Sequence, residues 1–298
     1  MVEFLQQVIN GVSLGAIYAL LALGYTMVYG VLRFINFAHC DVFMIGAFAG
    51  MYIGRHVPEE TVWGGLTVLA GAMLICAVLG IVIERLAYRP LRSGPTLNVL
   101  ITAIGVSLFL EYGAQDEHVF GQRPQAFPQI FPNTSFQLGD VRLSSNQLIV
   151  IVVTVILLVG LRLFVMRTRL GTAMRALSFN PKAAQLVGVN NNVVISATFG
   201  LGSALAGAGG ILYAMNYPSI EPFMGVMPGL KAFVAAVLGG IGNIPGAALG
   251  GLLLGVVETF VNGSDYSTYK DAIAFAILIL ILLFRPAGLL GRSTVEKV

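Results

Sequence analysis

The residues best suited to chemistry form two short patterns in the first part of the chain. Residues 11–15 read G-V-S-L-G, the G-x-S-x-G pattern of serine hydrolases, in which a sharp strand-to-helix turn exposes the serine. Here the pattern lies in a continuous apolar run, so we expect a helix whose two glycines permit close packing. His39, Cys40 and Asp41 suggest a Cys/His catalytic pair, but adjacent helix positions diverge by about 100°, so neither side chain serves the other as a base. The sequence therefore predicts no catalytic residue.

Patterns for cofactor binding are missing as well. The sequence has no H-E-x-x-H pattern and no Cys/His spacing suited to zinc. A Walker A loop needs a lysine directly after a glycine, and none of the four lysines follows one. We therefore expect no metal, no cofactor and no nucleotide site in this chain. Any use of ATP must depend on a partner subunit.

The composition is typical of a membrane protein. Of the 298 residues, 57% are hydrophobic and 10% are charged, and the mean hydropathy is +0.86, whereas soluble chains carry roughly 25% charged residues. This excludes soluble Rossmann enzymes, kinases and DNA-binding domains, and we expect no nucleic-acid partner. Because a lipid-exposed backbone must satisfy its own hydrogen bonds, apolar stretches of helical length predict an all-α polytopic integral membrane protein.

The length limits the number of helices. We predict a single transmembrane domain over residues 1–298, with about eight or nine membrane helices that include short or broken ones. The expected spans are 4–30, 38–54, 62–83, 96–113, 146–166, 191–215, 228–240, 244–262 and 271–285.

Positive charges predict the orientation, since cytoplasmic loops are rich in Lys and Arg. The expected cytoplasmic segments are 84–95, 162–190 and the tail with Arg285, Arg292 and Lys297. The long loop 114–145 and residues 55–61 carry more acid than base and are expected on the other side. A parity count also places the N-terminus there; the alternative is a broken or re-entrant helix around 33–41, which would reverse the N-terminus. Glu84 is expected to pair with Arg85 or Arg89 as a solvated charge at the cytoplasmic surface.

Polar and glycine-rich positions inside the apolar stretches are candidates for a transport route. Asn36, His39 and Asp41 stand together, and ionisable groups inside a membrane are costly enough to suggest a function. The alternative is that Arg33 and Asp41 mark a helix end at the interface. Most glycines repeat at spacings of four, which is typical of close helix packing, but one cluster also contains proline and predicts a helix broken within the membrane. That cluster is Gly239, Gly240, Gly242, Pro245 and Gly246, and we predict that both regions line the pathway.

The second basic segment, about 167–190, predicts a short helix outside the membrane. Asn180 suits the N-cap, Pro181 the first helical position and Gly188 the position after the last turn, which together frame about seven residues. The small residues Ala183 and Ala184 and the apolar Leu186 and Val187 are unusual for a loop in water, so we expect a partner surface to cover them. The alternative is an amphipathic linker on the lipid headgroups.

Three strings of residues resemble one transporter family. Residues 183–188 read A-A-Q-L-V-G, which resembles the cytoplasmic coupling loop of permeases in ATP-binding cassette (ABC) importers. Together with R-F-I-N-F-A-H at 33–39 and V-L-G-G-I-G-N-I-P-G at 237–246, the chain resembles the shorter permease subunit of branched-chain amino acid importers over nearly its whole length. Cys40 departs from the family pattern, which usually has glycine there.

The resemblance implies a translocation subunit, not an enzyme, in a bacterial inner membrane. The implied partners are a second homologous permease, two cytoplasmic ATPase subunits, a periplasmic amino-acid-binding protein and the lipid bilayer. The implied cargo is a branched-chain, hydrophobic amino acid; a related branch handles urea or short amides, and an ion-coupled secondary transporter is the competing class. The residues assigned to ATPase coupling are Arg175, Asn180, Pro181, Ala183, Ala184 and Gly188.

Overall fold

The computed structural model of the chain describes residues 2–92 and 94–291. Within these ranges the helices are α1 (Val2–Leu32), α2 (His39–Gly54), α3 (Val62–Ile83), α4 (Thr96–Ala114), α5 (Ser145–Arg167), α6 (Arg169–Phe179), α7 (Pro181–Leu186), α8 (Asn191–Asn216), α9 (Val226–Gly239), α10 (Ile244–Asn262) and α11 (Lys270–Phe284). A π-helical turn, Glu84–Tyr88, continues α3, and a 3-10 turn, Ser267–Tyr269, precedes α11. The short strands are β1 (Gln125–Ala126), β2 (Ser135–Leu138), β3 (Val141–Ser144) and β4 (Ser219–Ile220).

The nine predicted spans correspond to nine of these helices. Seven helices are long and apolar enough to cross a membrane, while α2 and α9 are apolar but shorter. With 16 and 14 residues, they reach only about 24 Å and 21 Å, less than the hydrocarbon thickness of about 30 Å. The prediction of an all-α polytopic membrane protein with some short helices is confirmed.

Helix α1 lies at the centre of the bundle. It packs against α8, α9 and α10, and its residues from Gly15 to Val28 are all buried. Small residues allow the close approach to α10, because a Cβ atom on Gly15 would lie only 2.8 Å from Leu252 Cα. The G-x-S-x-G pattern therefore marks a helix contact, as the sequence predicts.

Small residues also bring α8 close to α2 and α3. A Cβ atom on Gly46 of α2 would lie 2.5 Å from Gly207 Cα of α8, and one on Gly207 would lie 2.8 Å from the Cys76 sulfur of α3. Close packing of small residues is what binds helices together where lipid removes the hydrophobic driving force.

The bundle has two chemically different ends. The end that we call the basic end carries segments 85–92 and 162–182 and Arg285; the end that we call the loop end carries segments 55–61 and 115–144. At the loop end, Gln6 near the N-terminus accepts a hydrogen bond from the backbone of Arg142 at 2.9 Å. The N-terminus thus lies beside the long loop, in agreement with the parity count. Arg292 and Lys297 of the tail fall outside the described residues.

Strands occur only at the loop end among the described residues. Strands β2 and β3 form an antiparallel hairpin with Ser135 opposite Ser144. Strand β1 pairs with β4, so that Gln125 lies opposite Ile220 and the long loop is joined to the segment that precedes α9.

Candidate functional site

Two interrupted helices meet inside the bundle. Helix α2 begins at His39, whose ring occupies the space that the missing side chain of Gly24 in α1 leaves open. Helix α9 begins at Val226, and the preceding Gly225 packs against the backbone carbonyl of Cys40. The N-terminal ends of α2 and α9 therefore lie side by side among the long helices. Helix N-termini carry partial positive charge and unpaired N–H groups.

The polar residues of the first predicted region are all buried. Asn36, His39 and Asp41 are 4%, 1% and 1% exposed. The Asn36 amide oxygen accepts a hydrogen bond of 2.6 Å from the Tyr88 hydroxyl. These side chains lie in the interior of this chain around the start of α2. The alternative of a helix end at the interface is wrong for Asp41, whereas Arg33, directly after the end of α1, is exposed.

Polar atoms in this region retain hydrogen-bonding capacity. Neither ring nitrogen of His39 nor Asp41 Oδ2 has a hydrogen-bond partner among the described residues. The His39 ring packs edge-on against Tyr25, with ring centroids 4.7 Å apart, and Asp41 faces Ser107 and Glu111 of α4. Buried polar groups are normally satisfied, so the start of α2 offers hydrogen-bonding atoms to a polar ligand group.

The second predicted region forms the turn between α9 and α10. Gly240 and Gly242 have φ of +103° and +93°, and Asn243 caps α10 by accepting from the Gly246 amide at 3.2 Å. The backbone of Leu289 donates to the carbonyl of Leu238 at 2.8 Å, so the chain after α11 packs on this turn. The expectation that the cluster breaks a helix in the interior is wrong: it forms the turn between α9 and α10 at the basic end, and the helix starts that lie inside the bundle are those of α2 and α9.

The members of this cluster differ in exposure. Gly239, Gly240 and Gly246 are buried where the two helices cross closely, whereas Gly242 and Pro245 are exposed. The left-handed backbone of Gly242 requires glycine, although a Cβ atom there would meet no atom within 4 Å. Gly242 lies beside Gly30 near the end of α1, and a Cβ atom on Gly30 would be 3.8 Å from Gly242 Cα.

The short helix of the second basic segment has the predicted boundaries. The Asn180 side chain accepts from the amides of Lys182 and Ala183 at 3.0 and 3.1 Å, Pro181 occupies the first turn of α7, and Gly188 has a φ of +88°. The expected capping chemistry is confirmed.

The outward face of α7 differs from the expected one at Ala184. Ala184 is 3% exposed and packs toward the chain itself, so its expected place on the docking face is wrong. Ala183 is exposed, and Leu186 and Val187 are 88% and 79% exposed. The physical reason is the packing of α7 on the beginning of α8, which covers Ala184 and leaves the other residues of the short helix exposed. Arg175 in α6 is exposed nearby in sequence, as are Arg162, Arg167, Arg169 and Lys182.

A charge network links three helices, and sequence reasoning did not find it. Lys231 Nζ lies 2.6 Å from Glu258 Oε1 and 2.6 Å from Asp271 Oδ1, and the Tyr18 hydroxyl donates to Glu258 Oε2 at 2.8 Å. In the sequence, Lys231 and Glu258 are charges within apolar runs, and charged residues inside membrane segments usually pair with one another.

Glu84 is not a solvated surface charge. It is 0% exposed, its Oε2 accepts from the Ser196 hydroxyl at 2.5 Å, and its Oε1 lies 3.4 Å from Arg92 Nη1. Partial burial lowers the pKa of the Arg92 guanidinium, and the Glu84 charge opposes that shift. The prediction of a pair with Arg85 or Arg89 is wrong, because the partners come from the turn after the helix and from α8.

The loop end holds an open cavity of about 390 Å³. Its lining contains no charged side chain and several amides, including Gln129, Asn133, Asn146 and Asn216. It lies between the long loop and the last turn of α8. An uncharged polar lining of this kind suits groups that carry no net charge.

A helical bundle with two interrupted helices, a buried polar junction and a separate capped helix beyond a basic segment defines a polytopic membrane transport subunit. The family model for the permease component of branched-chain amino acid transport systems matches residues 7–282. The chain belongs to this family.

Curated relatives cover nearly the whole chain. It is 46% identical to the high-affinity branched-chain amino acid transport system permease protein BraD of Pseudomonas aeruginosa, over 99% of this chain and 98% of BraD. It is 44% identical to LivH of Escherichia coli K12, which has the same description, over the same shares of the two chains. The probable branched-chain amino acid transport permease LivH of Methanocaldococcus jannaschii is 29% identical, over 91% of this chain and 88% of that protein.

Proposed function

We propose that this chain is the translocation subunit of an ABC importer that carries branched-chain amino acids across a bacterial inner membrane. The observation that carries the proposal is the identity of 46% to BraD over 99% of the chain. Its partners are a second homologous permease, two ATPase subunits on the cytoplasmic side and a periplasmic amino-acid-binding protein. ATP hydrolysis belongs to those ATPase subunits, and this chain provides the route.

The route of the amino acid passes the start of α2 and the turn between α9 and α10. A zwitterion loses its hydration on entering the membrane, and unpaired polar atoms beside two helix N-termini replace some of it. Asn36, His39 and Asp41 supply the polar part, and Gly239, Gly240, Gly242, Pro245 and Gly246 form the flexible part near the basic end. The amide-lined cavity at the loop end faces the side from which the binding protein delivers.

The ATPase docks on α7. Exposed Leu186 and Val187 are apolar side chains with no cover in this chain, and Asn180, Pro181 and Gly188 fix the ends of the helix that presents them. Ala183 permits close approach on that face, and Ala184 holds the helix to its own chain. Arg175 and Lys182 add positive charge around the contact.

Reconstitution tests the proposal directly. The chain, its companion permease, the ATPase subunits and the binding protein in vesicles should accumulate leucine only when ATP is present with the ATPases. Uptake of leucine driven by an ion gradient without ATPases would identify a secondary transporter instead, and transport of urea in preference to leucine would refute the substrate assignment.

A substitution tests the docking face. Leu186→Glu should reduce copurification of the ATPase subunits by about tenfold or more, because a central apolar anchor contributes about 1–4 kcal/mol to an interface. The matched control is Phe136→Glu, an exposed apolar residue of β2 at the opposite end, which should leave copurification unchanged. Normal ATPase binding by the Leu186→Glu variant would remove α7 as the docking element.

A further inference from the structure

A row of hydrogen-bonded contacts joins the helix proposed to dock the ATPase to the interrupted helix α2. We propose that Glu84 and Tyr88, at the two ends of the π-helical turn, are positioning residues that couple movement of α7 and α8 to the loop 33–38. This inference rests on the proposed function. It is argued from four successive contacts.

The first contact fastens α7 to the beginning of α8. The Asn191 side chain donates to the carbonyl of Pro181 at 3.0 Å, and the backbone of Val189 donates to the carbonyl of Ala184 at 3.0 Å. Ala184 is itself buried. A force applied to α7 therefore reaches the first turn of α8 without passing through a flexible linker.

The second contact fastens α8 to the end of α3. Ser196, in the second turn of α8, donates to Glu84 Oε2 at 2.5 Å. Glu84 is fully buried and its other oxygen faces Arg92. A buried carboxylate is costly unless its hydrogen bonds and charge are matched, so this contact holds α8 and α3 in one relative register.

The third link is the π-helical turn. The Arg89 amide donates to the Glu84 carbonyl at 2.7 Å, five residues back rather than four. Such turns occur as single insertions in α-helices, often at functional sites. A change to α-helical spacing would rotate Tyr88 relative to Glu84, so this turn is the element that the proposal assigns to the change of arrangement.

The fourth contact reaches the loop before α2. The Tyr88 hydroxyl donates to Asn36 Oδ1 at 2.6 Å, and its ring packs against Phe34 and Phe199 with centroids 5.5 and 5.3 Å apart. The same loop contains Arg33, a non-glycine residue with a φ of +56°, a backbone that persists only where its surroundings hold it. Rotation of Tyr88 therefore changes the loop, and with it the start of α2.

A coupling role and a purely structural role predict different measurements. If the contacts only stabilise the fold, their removal lowers assembly, transport and hydrolysis together. If they couple, removal lowers the number of amino acid molecules transported per ATP hydrolysed while the complex still assembles and hydrolyses ATP. That ratio is the deciding readout.

The variants are Tyr88→Phe and Ser196→Ala in the complete complex, reconstituted in vesicles. Each substitution removes one hydroxyl group and keeps the packing of the rest of the side chain. We therefore expect the number of amino acid molecules transported per ATP hydrolysed to fall about three- to tenfold, the range for loss of one hydrogen bond. In the double variant this ratio should fall no further than in the stronger single variant, because both substitutions act on one row. The matched control is Tyr18→Phe, which removes a buried hydroxyl that donates to Glu258 at 2.8 Å outside the row, and its ratio should equal that of the wild type.

The inference is overturned by an unchanged ratio in both single variants, or by an equal loss in Tyr18→Phe. Where one variant fails to assemble, the other decides, and failure of both to assemble assigns the row to folding and overturns coupling. The wild-type complex distinguishes failure of the proposed function from failure of the coupling proposal. If the wild type shows no ATP-dependent transport, the proposed function is refuted, whatever the variants do.

Discussion

Lys231 gives the most direct view of how single residues stabilise this protein. Its ammonium group joins α9 to Glu258 of α10 and to Asp271 of α11 at 2.6 Å each, while Tyr18 of α1 binds the remaining oxygen of Glu258. Lys231 and Glu258 have side chains that are 5% and 8% exposed. Breaking a buried pair leaves an uncompensated charge, which costs more than the pair itself contributes.

Lys231→Met should therefore destabilise the isolated chain by about 3–5 kcal/mol, measured as a lowered thermal unfolding midpoint in detergent. Adding Glu258→Gln should recover part of the loss, because it removes one unpaired negative charge. Lys182→Met is the control: Lys182 is exposed and makes no ion pair among the described residues, so stability should not change. An unfolding midpoint of Lys231→Met equal to that of the wild type would show that the pair contributes nothing.

For single residues, the sequence predicted the roles that depend on neighbours along the chain and missed the roles that depend on residues far away in the sequence. The capping roles of Asn180 and Gly188 follow from positions within one short helix, and they are confirmed. The partner of Glu84 is Ser196, far along the chain, and no local pattern indicates it. The inward direction of Ala184 likewise depends on how α7 meets α8.

Between the elements, packing of small residues holds α2 against α8. Gly46→Leu should destabilise the isolated chain by about 1–3 kcal/mol or more, because overpacking has that cost even where side chains can shift and here a Cβ atom meets the Gly207 backbone at 2.5 Å. Gly105→Leu is the matched control, since a Cβ atom on this glycine of α4 meets nothing within 4 Å. Fluorescence-detected unfolding in detergent compares the two, and equal stability would contradict the close α2–α8 contact.

The existence of the membrane helices was predictable because continuous apolar runs carry that information. The place where helices are interrupted was not. Glycine and proline at 239–246 suggested an interior break, but a turn at the end of two helices needs the same residues, and the structure has that turn. Helix α9 starts inside the bundle at Val226, and the segment before it has no cluster of glycine and proline as dense as the one at 239–246. The position of this start depends on the pairing of β4 with β1.

Across the whole molecule, charge separates the two ends. Five exposed basic residues and no acid lie between Arg162 and Lys182, and the loop end carries the acids of 55–61 and 115–144. The positive-inside rule then predicts the basic end in the cytoplasm, the side on which the proposed ATPase subunits would dock. The contact of Gln6 with Arg142 places the start of α1 at the loop end, so one experiment tests the orientation of both ends of the bundle.

Single cysteines test that orientation in intact cells. In a variant with Cys40→Ser and Cys76→Ala, an impermeant maleimide should label Ser135→Cys in the β2–β3 hairpin and Glu3→Cys at the start of α1, both of which are exposed positions. Thr172→Cys in α6 is also exposed and should be labelled only after the membrane is permeabilised, because the basic end faces the cytoplasm. Each variant must retain leucine transport, which confirms that the labelled protein is folded. Labelling of Thr172→Cys from outside, with protection of Ser135→Cys, would invert the molecule in the membrane and would place α7 where no ATPase can reach it.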